Sequence, residues 1–115
     1  MGKRVNQLMS DFVLVAKQSE IPDPGKILVE VGERLVVLIR AAGQVYALDD
    51  VCTHDGGPLS DGPLDPERGT IACPRHGAEF DIHTGAALSM PATKATRVHE
   101  VKVEGDQVFV RLCDE

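Results

Sequence analysis

The chain has 115 residues, 43% of them hydrophobic, with no tryptophan, one tyrosine and three phenylalanines. That size and balance fit one domain with an aliphatic core. A formal net charge of −6 argues against a nucleic-acid partner, and no apolar run approaches the ~18 residues that cross a bilayer.

Residues 1–10 read as an N-terminal tail with no apolar stretch of the secretory kind, so a cytoplasmic location is expected. Phe12-Val13-Leu14-Val15-Ala16 is β-branched and apolar and reads as a first strand. Ile21-Pro22-Asp23-Pro24-Gly25 cannot continue a regular element, because proline lacks the donor and fixes φ. Lys26–Val31, Arg34–Arg40 and Gln44–Leu48 read as three further strands, separated by turns at Gly32-Glu33 and Ala42-Gly43. Between Val51 and Thr93 the texture becomes loop-rich, punctuated by Gly56-Gly57-Pro58 and Gly62-Pro63. Short strands are expected there at Thr70–Ala72 and Glu79–Ile82. Val101-Lys102-Val103 and Val108–Leu112 alternate apolar and polar across Glu104-Gly105-Asp106, which predicts a closing hairpin with one face in and one out. No helical period persists. The expected class is an all-β, antiparallel sandwich with a small loop-rich subdomain over about residues 51–93.

That subdomain holds the chemistry. Cys52-Thr53-His54 and Cys73-Pro74-Arg75-His76 are two mixed pairs, C-x-H and C-x-x-H, on two loops. Three cysteines are too few for a disulfide scaffold, and closely spaced Cys in a reducing compartment points to metal binding or catalysis. Structural zinc usually takes like residues in pairs, C-x₂₋₄-C and H-x₃₋₅-H. Mixed pairs favour a dinuclear centre in which one metal collects two sulfurs and the other two nitrogens. A zinc-binding structural module remains the alternative from a different class.

Cys52-Thr53-His54-Asp55-Gly56-Gly57-Pro58-Leu59 and Cys73-Pro74-Arg75-His76-Gly77-Ala78-Glu79-Phe80-Asp81 resemble the two ligand loops of Rieske [2Fe–2S] proteins. More narrowly, they are similar to the small Rieske ferredoxins of bacterial aromatic-ring dioxygenase systems. Thr84–Leu88 and Met90-Pro91-Ala92 are similar to that family's approach to a third, proline-containing loop, and Val101–Val110 to its last hairpin. The resemblance spans about residues 11–112. It implies a Rieske fold and one [2Fe–2S] cluster, with Cys52 and Cys73 on one iron and His54 and His76 on the other through Nδ1. It implies an electron carrier with no catalytic residues. The expected partners are a flavin-dependent ferredoxin reductase and a terminal oxygenase, with no nucleic acid and no membrane. A small Rieske subunit of a larger enzyme, such as nitrite reductase, is the alternative within the fold.

The departures from the family carry information too. Where high-potential members place an extra cysteine in each loop, this chain has Gly57 and Arg75. Where they place a Ser and a Tyr hydroxyl, it has Ala78 and Phe80. The resemblance therefore implies unclamped loops and a potential near the low end of the Rieske range, about −150 mV. Pro58, Leu59, Gly77 and Met90-Pro91 are expected to form an apolar rim for docking. His83 reads as a surface turn residue, His99 as a residue flanking the core, Cys113 as a non-ligand thiol, and Asp49-Asp50 as turn or surface residues.

Overall fold

The computed structural model describes residues 12–51, 57–74, 77–90, 92 and 94–113. Among the described residues, nine strands alternate with turns: β1 (Val13–Lys17), β2 (Gly25–Val31), β3 (Arg34–Ala41), β4 (Gln44–Asp49), β5 (Leu64–Asp65), β6 (Thr70–Ala72), β7 (Glu79–Asp81), β8 (Val98–Glu104) and β9 (Gln107–Arg111). They form two antiparallel sheets. One has six strands in the order β1-β9-β8-β4-β3-β2, the other three in the order β5-β6-β7.

Turn chemistry sets the strand boundaries. Gly32, Gly43 and Gly105 take φ of 64°, 79° and 60° at the turns β2–β3, β3–β4 and β8–β9. This is the left-handed region that a glycine enters without a Cβ penalty. The resulting registers run Val31↔Arg34, Ala41↔Gln44 and Glu104↔Gln107 at the turn ends. The expected strands over 26–31, 34–40 and 44–48 and the closing hairpin are all present, each a residue or a few longer or shorter. The two-residue β5 was not anticipated, since a strand that short leaves no periodic pattern to read.

The centre of the molecule is β3. Val36, Val37, Leu38 and Ile39 are all fully buried. An uninterrupted apolar run of this kind means both faces of the strand are covered. Val36 and Leu38 pack with Val31, Val45, Ala47, Val108 and Val110, inside the six-stranded sheet. Val37 and Ile39 face the other way, with Leu48, onto Leu59, Ile71, Ala78, Phe80 and Ile82. The loop-rich half of the chain is therefore seated directly on the back of the main sheet. The alternation expected of the last hairpin holds for β9, where Val108 and Val110 are buried, and fades in β8, where Val103 is exposed.

Candidate metal centre

Of the four candidate ligands, Cys52, His54 and His76 lie outside the described residues, as does Arg75. Cys73 is described, and its setting is specific. It is 1% exposed, and its apolar neighbours in the core include Leu59, Ile71, Ala78, Phe80 and Ala92. It is a thiol and not half of a disulfide.

The turn that carries it closes on itself. The Cys73 N–H donates to the Ala78 carbonyl at 2.8 Å, and the Gly77 N–H donates to the Cys73 carbonyl at 3.0 Å. Gly77 makes this possible with φ of 75°. Because β6 ends at Ala72 and β7 begins at Glu79, the strands fix both ends of the turn.

The chain downstream of the first loop passes close to the same turn. It makes a 3₁₀ turn over Leu59–Asp61 and then passes Gly62 against the strand leading to Cys73. The approach is close. A Cβ on Gly62 would lie 1.7 Å from the Ala72 carbonyl oxygen and 3.3 Å from Pro74 Cδ. The Ala72 N–H donates to the Pro63 carbonyl at 3.0 Å. A third segment joins them. Ala87 bridges Phe80, the Leu88 N–H donates to the Glu79 carbonyl at 2.8 Å, and the Glu79 N–H donates to Ser89 Oγ at 3.0 Å. Ala92, buried, completes the apolar floor shared with Cys73; Pro91 and Thr93 lie outside the described residues.

Upstream of Cys52 the backbone is tied down on every side. The Asp49 N–H donates to the Arg97 carbonyl at 2.9 Å and the Asp50 N–H to the Leu35 carbonyl at 3.1 Å. The Val51 carbonyl accepts from Thr96 Oγ1 at 3.1 Å. Asp50 is buried, and its two carboxylate oxygens accept from the backbone N–H of Ser60 at 2.6 Å and from Ser60 Oγ at 3.0 Å. The expectation that Asp49 and Asp50 are turn or surface residues is thus corrected. Asp49 ends a strand, and Asp50 is a buried hydrogen-bond hub. Composition hides this, because a short acidic side chain suits both an exposed turn and a backbone-capping role. The expected rim is corrected at one position as well. Leu59 is fully buried, whereas Pro58, Gly77 and Met90 are exposed, and Leu88 and Val51 add to the exposed apolar surface. His83 is exposed in a turn, as expected, with the Asp81 carboxylate 3.2 Å from its Nδ1. His99 is buried, and Cys113 is half-buried.

These features suit a soft-metal site. A buried thiol at the head of a closed turn, on an apolar floor that three segments share, supplies a sulfur donor at fixed depth and shields it from water. Comparison with known proteins identifies the kind of site. Residues 11–102 match the model of the Rieske [2Fe-2S] domain.

The chain belongs to the Rieske family.

A Rieske domain binds an iron–sulfur cluster. The chain is 32% identical over 105 residues to the ferredoxin component of the naphthalene 1,2-dioxygenase/salicylate 5-hydroxylase systems of a Ralstonia species, covering 91% of this chain and 99% of that one. Among solved structures it is similar to the ferredoxin of carbazole 1,9a-dioxygenase from Nocardioides aromaticivorans IC177, with 30% identity, a TM-score of 0.84, and 88% and 97% of the two chains covered. It is also similar to a chain in the complex of reduced oxygenase and oxidised ferredoxin of carbazole 1,9a-dioxygenase, with 34% identity, a TM-score of 0.81, and 89% and 94% covered. This Rieske protein is an electron-transfer ferredoxin of the aromatic-dioxygenase type, and it is not itself a catalyst. None of its helices is long and apolar enough to cross a membrane, among the described residues.

Proposed function

We propose that Cys52 and Cys73 hold one iron of a single [2Fe–2S] cluster and His54 and His76 the other. We further propose that the protein takes one electron at a time from a flavin-dependent reductase and hands it to a terminal ring-hydroxylating oxygenase. The observation that carries the reading is the position of Cys73. It is buried at the head of a closed turn, on a floor to which the segments on either side of it contribute. When bound, such a cluster supplies a one-electron couple whose potential the two neutral imidazoles raise above that of an all-thiolate centre.

The chain's own residues do the rest. The Cys73–Ala78 and Gly77–Cys73 backbone bonds hold Cys73 in place at the head of its turn. Ala78, Phe80 and Leu59, all fully buried, exclude water from the sulfur side. Exposed Pro58, Gly77 and Met90 leave an apolar surface against which a partner can dock. The net charge of −6 favours a partner whose docking face is basic, since complementary charge speeds encounter. Residues 11–112 form the functional unit in this reading, with residues 1–10 as a tail and about 51–93 as the cluster-binding subdomain. The reducing cytoplasm suits the thiolate ligands.

The test is direct. Purified protein is expected to carry two irons and two acid-labile sulfides per chain and a red-brown colour. It is also expected to restore turnover to a reductase and ring-hydroxylating oxygenase that lack a ferredoxin. One zinc and no colour would overturn the ligand assignment. A native cluster spectrum that survives both His54→Ala and His76→Ala would do the same.

A further inference from the structure

Two polar clamps of identical design occur in this molecule. In each, one aspartate takes both the backbone N–H and the hydroxyl of one serine on its two carboxylate oxygens. Asp106 grips Ser19 in this way at 2.9 and 2.8 Å, on the exposed surface between β1 and the last hairpin. Asp50 grips Ser60 at 2.6 and 3.0 Å, out of solvent. The first ties down a surface turn. The second joins Asp50 to Ser60, which flank in sequence the stretch 51–59 that contains Cys52 and His54.

That loop has no covalent closure available. The only other cysteines are Cys73, a candidate ligand, and Cys113, near the C-terminus. Its upstream end is held to the main sheet through the Asp50 N–H on the Leu35 carbonyl. Its downstream end, Ser60, lies in the 3₁₀ turn whose Leu59 is fully buried beside Cys73 in the core. The Asp50 carboxylate joins these two ends. A hydrogen bond to an ionised acceptor is stronger than one between neutral groups, and burial strengthens it further. Asp50 thus spans the root of the loop two positions before Cys52.

We propose that Asp50 is a positioning residue for the iron–sulfur centre. Through Ser60 it ties together the two described ends of the segment that carries Cys52 and His54. The proposal rests on the ligand reading above. It assigns Ser60 the same role from the other side. The matching clamp at Asp106 provides an internal control, with the same bonds far from the ligand loops in sequence.

The experiment uses holoprotein. Iron release to an excess of bathophenanthroline is followed at neutral pH, the dithionite-reduced protein is examined by electron paramagnetic resonance, and thermal melting is recorded alongside. Asp50→Ala is expected to release iron at least tenfold faster than wild type, with shifted or broadened g values. Ser60→Ala keeps the bond to the backbone N–H and is expected to fall between the two. Asp50→Asn keeps one acceptor oxygen and is expected to recover part of the loss. Asp106→Ala and Ser19→Ala are expected to lower the melting temperature while iron release and g values stay as in wild type. Should Asp50→Ala not fold, Ser60→Ala against Ser19→Ala carries the same comparison. Wild-type release and g values in the Asp50 and Ser60 variants overturn the proposal, as does an equal effect from Asp106→Ala. A wild-type protein without iron overturns the ligand reading and this inference together, whereas an intact wild-type cluster with insensitive variants overturns this inference alone.

Discussion

His99 donates from Nε2 to the Asp49 carboxylate at 2.7 Å while its Nδ1 accepts the backbone N–H of Cys113 at 3.0 Å. A backbone N–H can only donate, so Nδ1 carries no proton and the tautomer is fixed. The imidazole side chain is completely buried. It therefore staples the C-terminal segment to the end of β4, three residues before Cys52, while Arg34 approaches the same carboxylate at 3.8 Å. Replacing His99 by Leu fills the space but leaves the Cys113 N–H and one side of Asp49 without their partner. Leaving such a group unsatisfied costs roughly 1–3 kcal/mol. Urea denaturation is expected to show that loss. His99→Gln, which can offer both an acceptor and a donor, is expected to lose less than His99→Leu; equal losses would mean that packing, not hydrogen bonding, is what His99 contributes.

Gly62 and Gly43 give opposite outcomes for the same chemical change. Gly62 has an ordinary φ of −91°, so alanine there meets no backbone strain. It meets the Ala72 carbonyl oxygen at 1.7 Å instead, a backbone atom that cannot swing away. Gly62→Ala must push apart the two segments that flank the ligand loops, and overpacking of this kind typically costs about 1–3 kcal/mol, occasionally more. Gly43 has φ of 79° and open space around it. Gly43→Ala is expected to cost only the left-handed penalty, about 1–2 kcal/mol. The discriminating measurement is iron content after expression. It is expected to fall for Gly62→Ala and to stay at the wild-type level for Gly43→Ala.

Asp106 sets part of the acid limb of stability. The Ser19 hydroxyl, then the Ser19 N–H, hold its carboxyl below the usual 3.8 against an opposing effect of burial, with Lys17 and Arg40 adding lesser favourable charge. A carboxyl depressed by folding contributes stability that is fully present above its unfolded value. That contribution is lost as pH falls through the folded value. The gap in urea midpoint between wild type and Asp106→Asn is therefore expected to be constant from pH 7 to about pH 5. It should close below pH 3.8. A gap that persists unchanged into the acid would show that the carboxylate charge is not what stabilises this turn.

Much of this architecture is legible in the residues. Gly32, Gly43 and Gly105 mark the hairpins because only glycine enters their backbone region cheaply. The runs between them are β-branched, and Cys73, the described member of the mixed Cys/His pairs, lies buried where three segments meet. The run Val36–Ile39 shows a strand buried on both faces only once the second sheet is known to cover it. Asp50 and Leu59 were less legible for one shared reason. Each takes its role from a long-range neighbour, Ser60 or the back of β3, and local composition does not encode such partners.

Ala78 bears on the potential of the proposed centre. Its side chain is fully buried on the floor it shares with Cys73, and its carbonyl accepts the Cys73 N–H. Neither Ala78 nor Phe80, also fully buried, has a hydroxyl to offer a sulfur. Donors to sulfur stabilise the reduced state, which carries the extra negative charge, so their lack leaves the potential low. Titration is expected to give a midpoint near the low end of the Rieske range, about −150 mV. Ala78→Ser adds one donor at a site with little room for water to compete. One net hydrogen bond of about 0.5–1.5 kcal/mol corresponds to roughly 20–60 mV for a one-electron couple. An upward shift of that size in Ala78→Ser, with Ala78→Val unchanged or lower, is the expected pattern. A wild-type midpoint well above 0 mV would show that other donors supply what these two positions lack, and the serine would then add little.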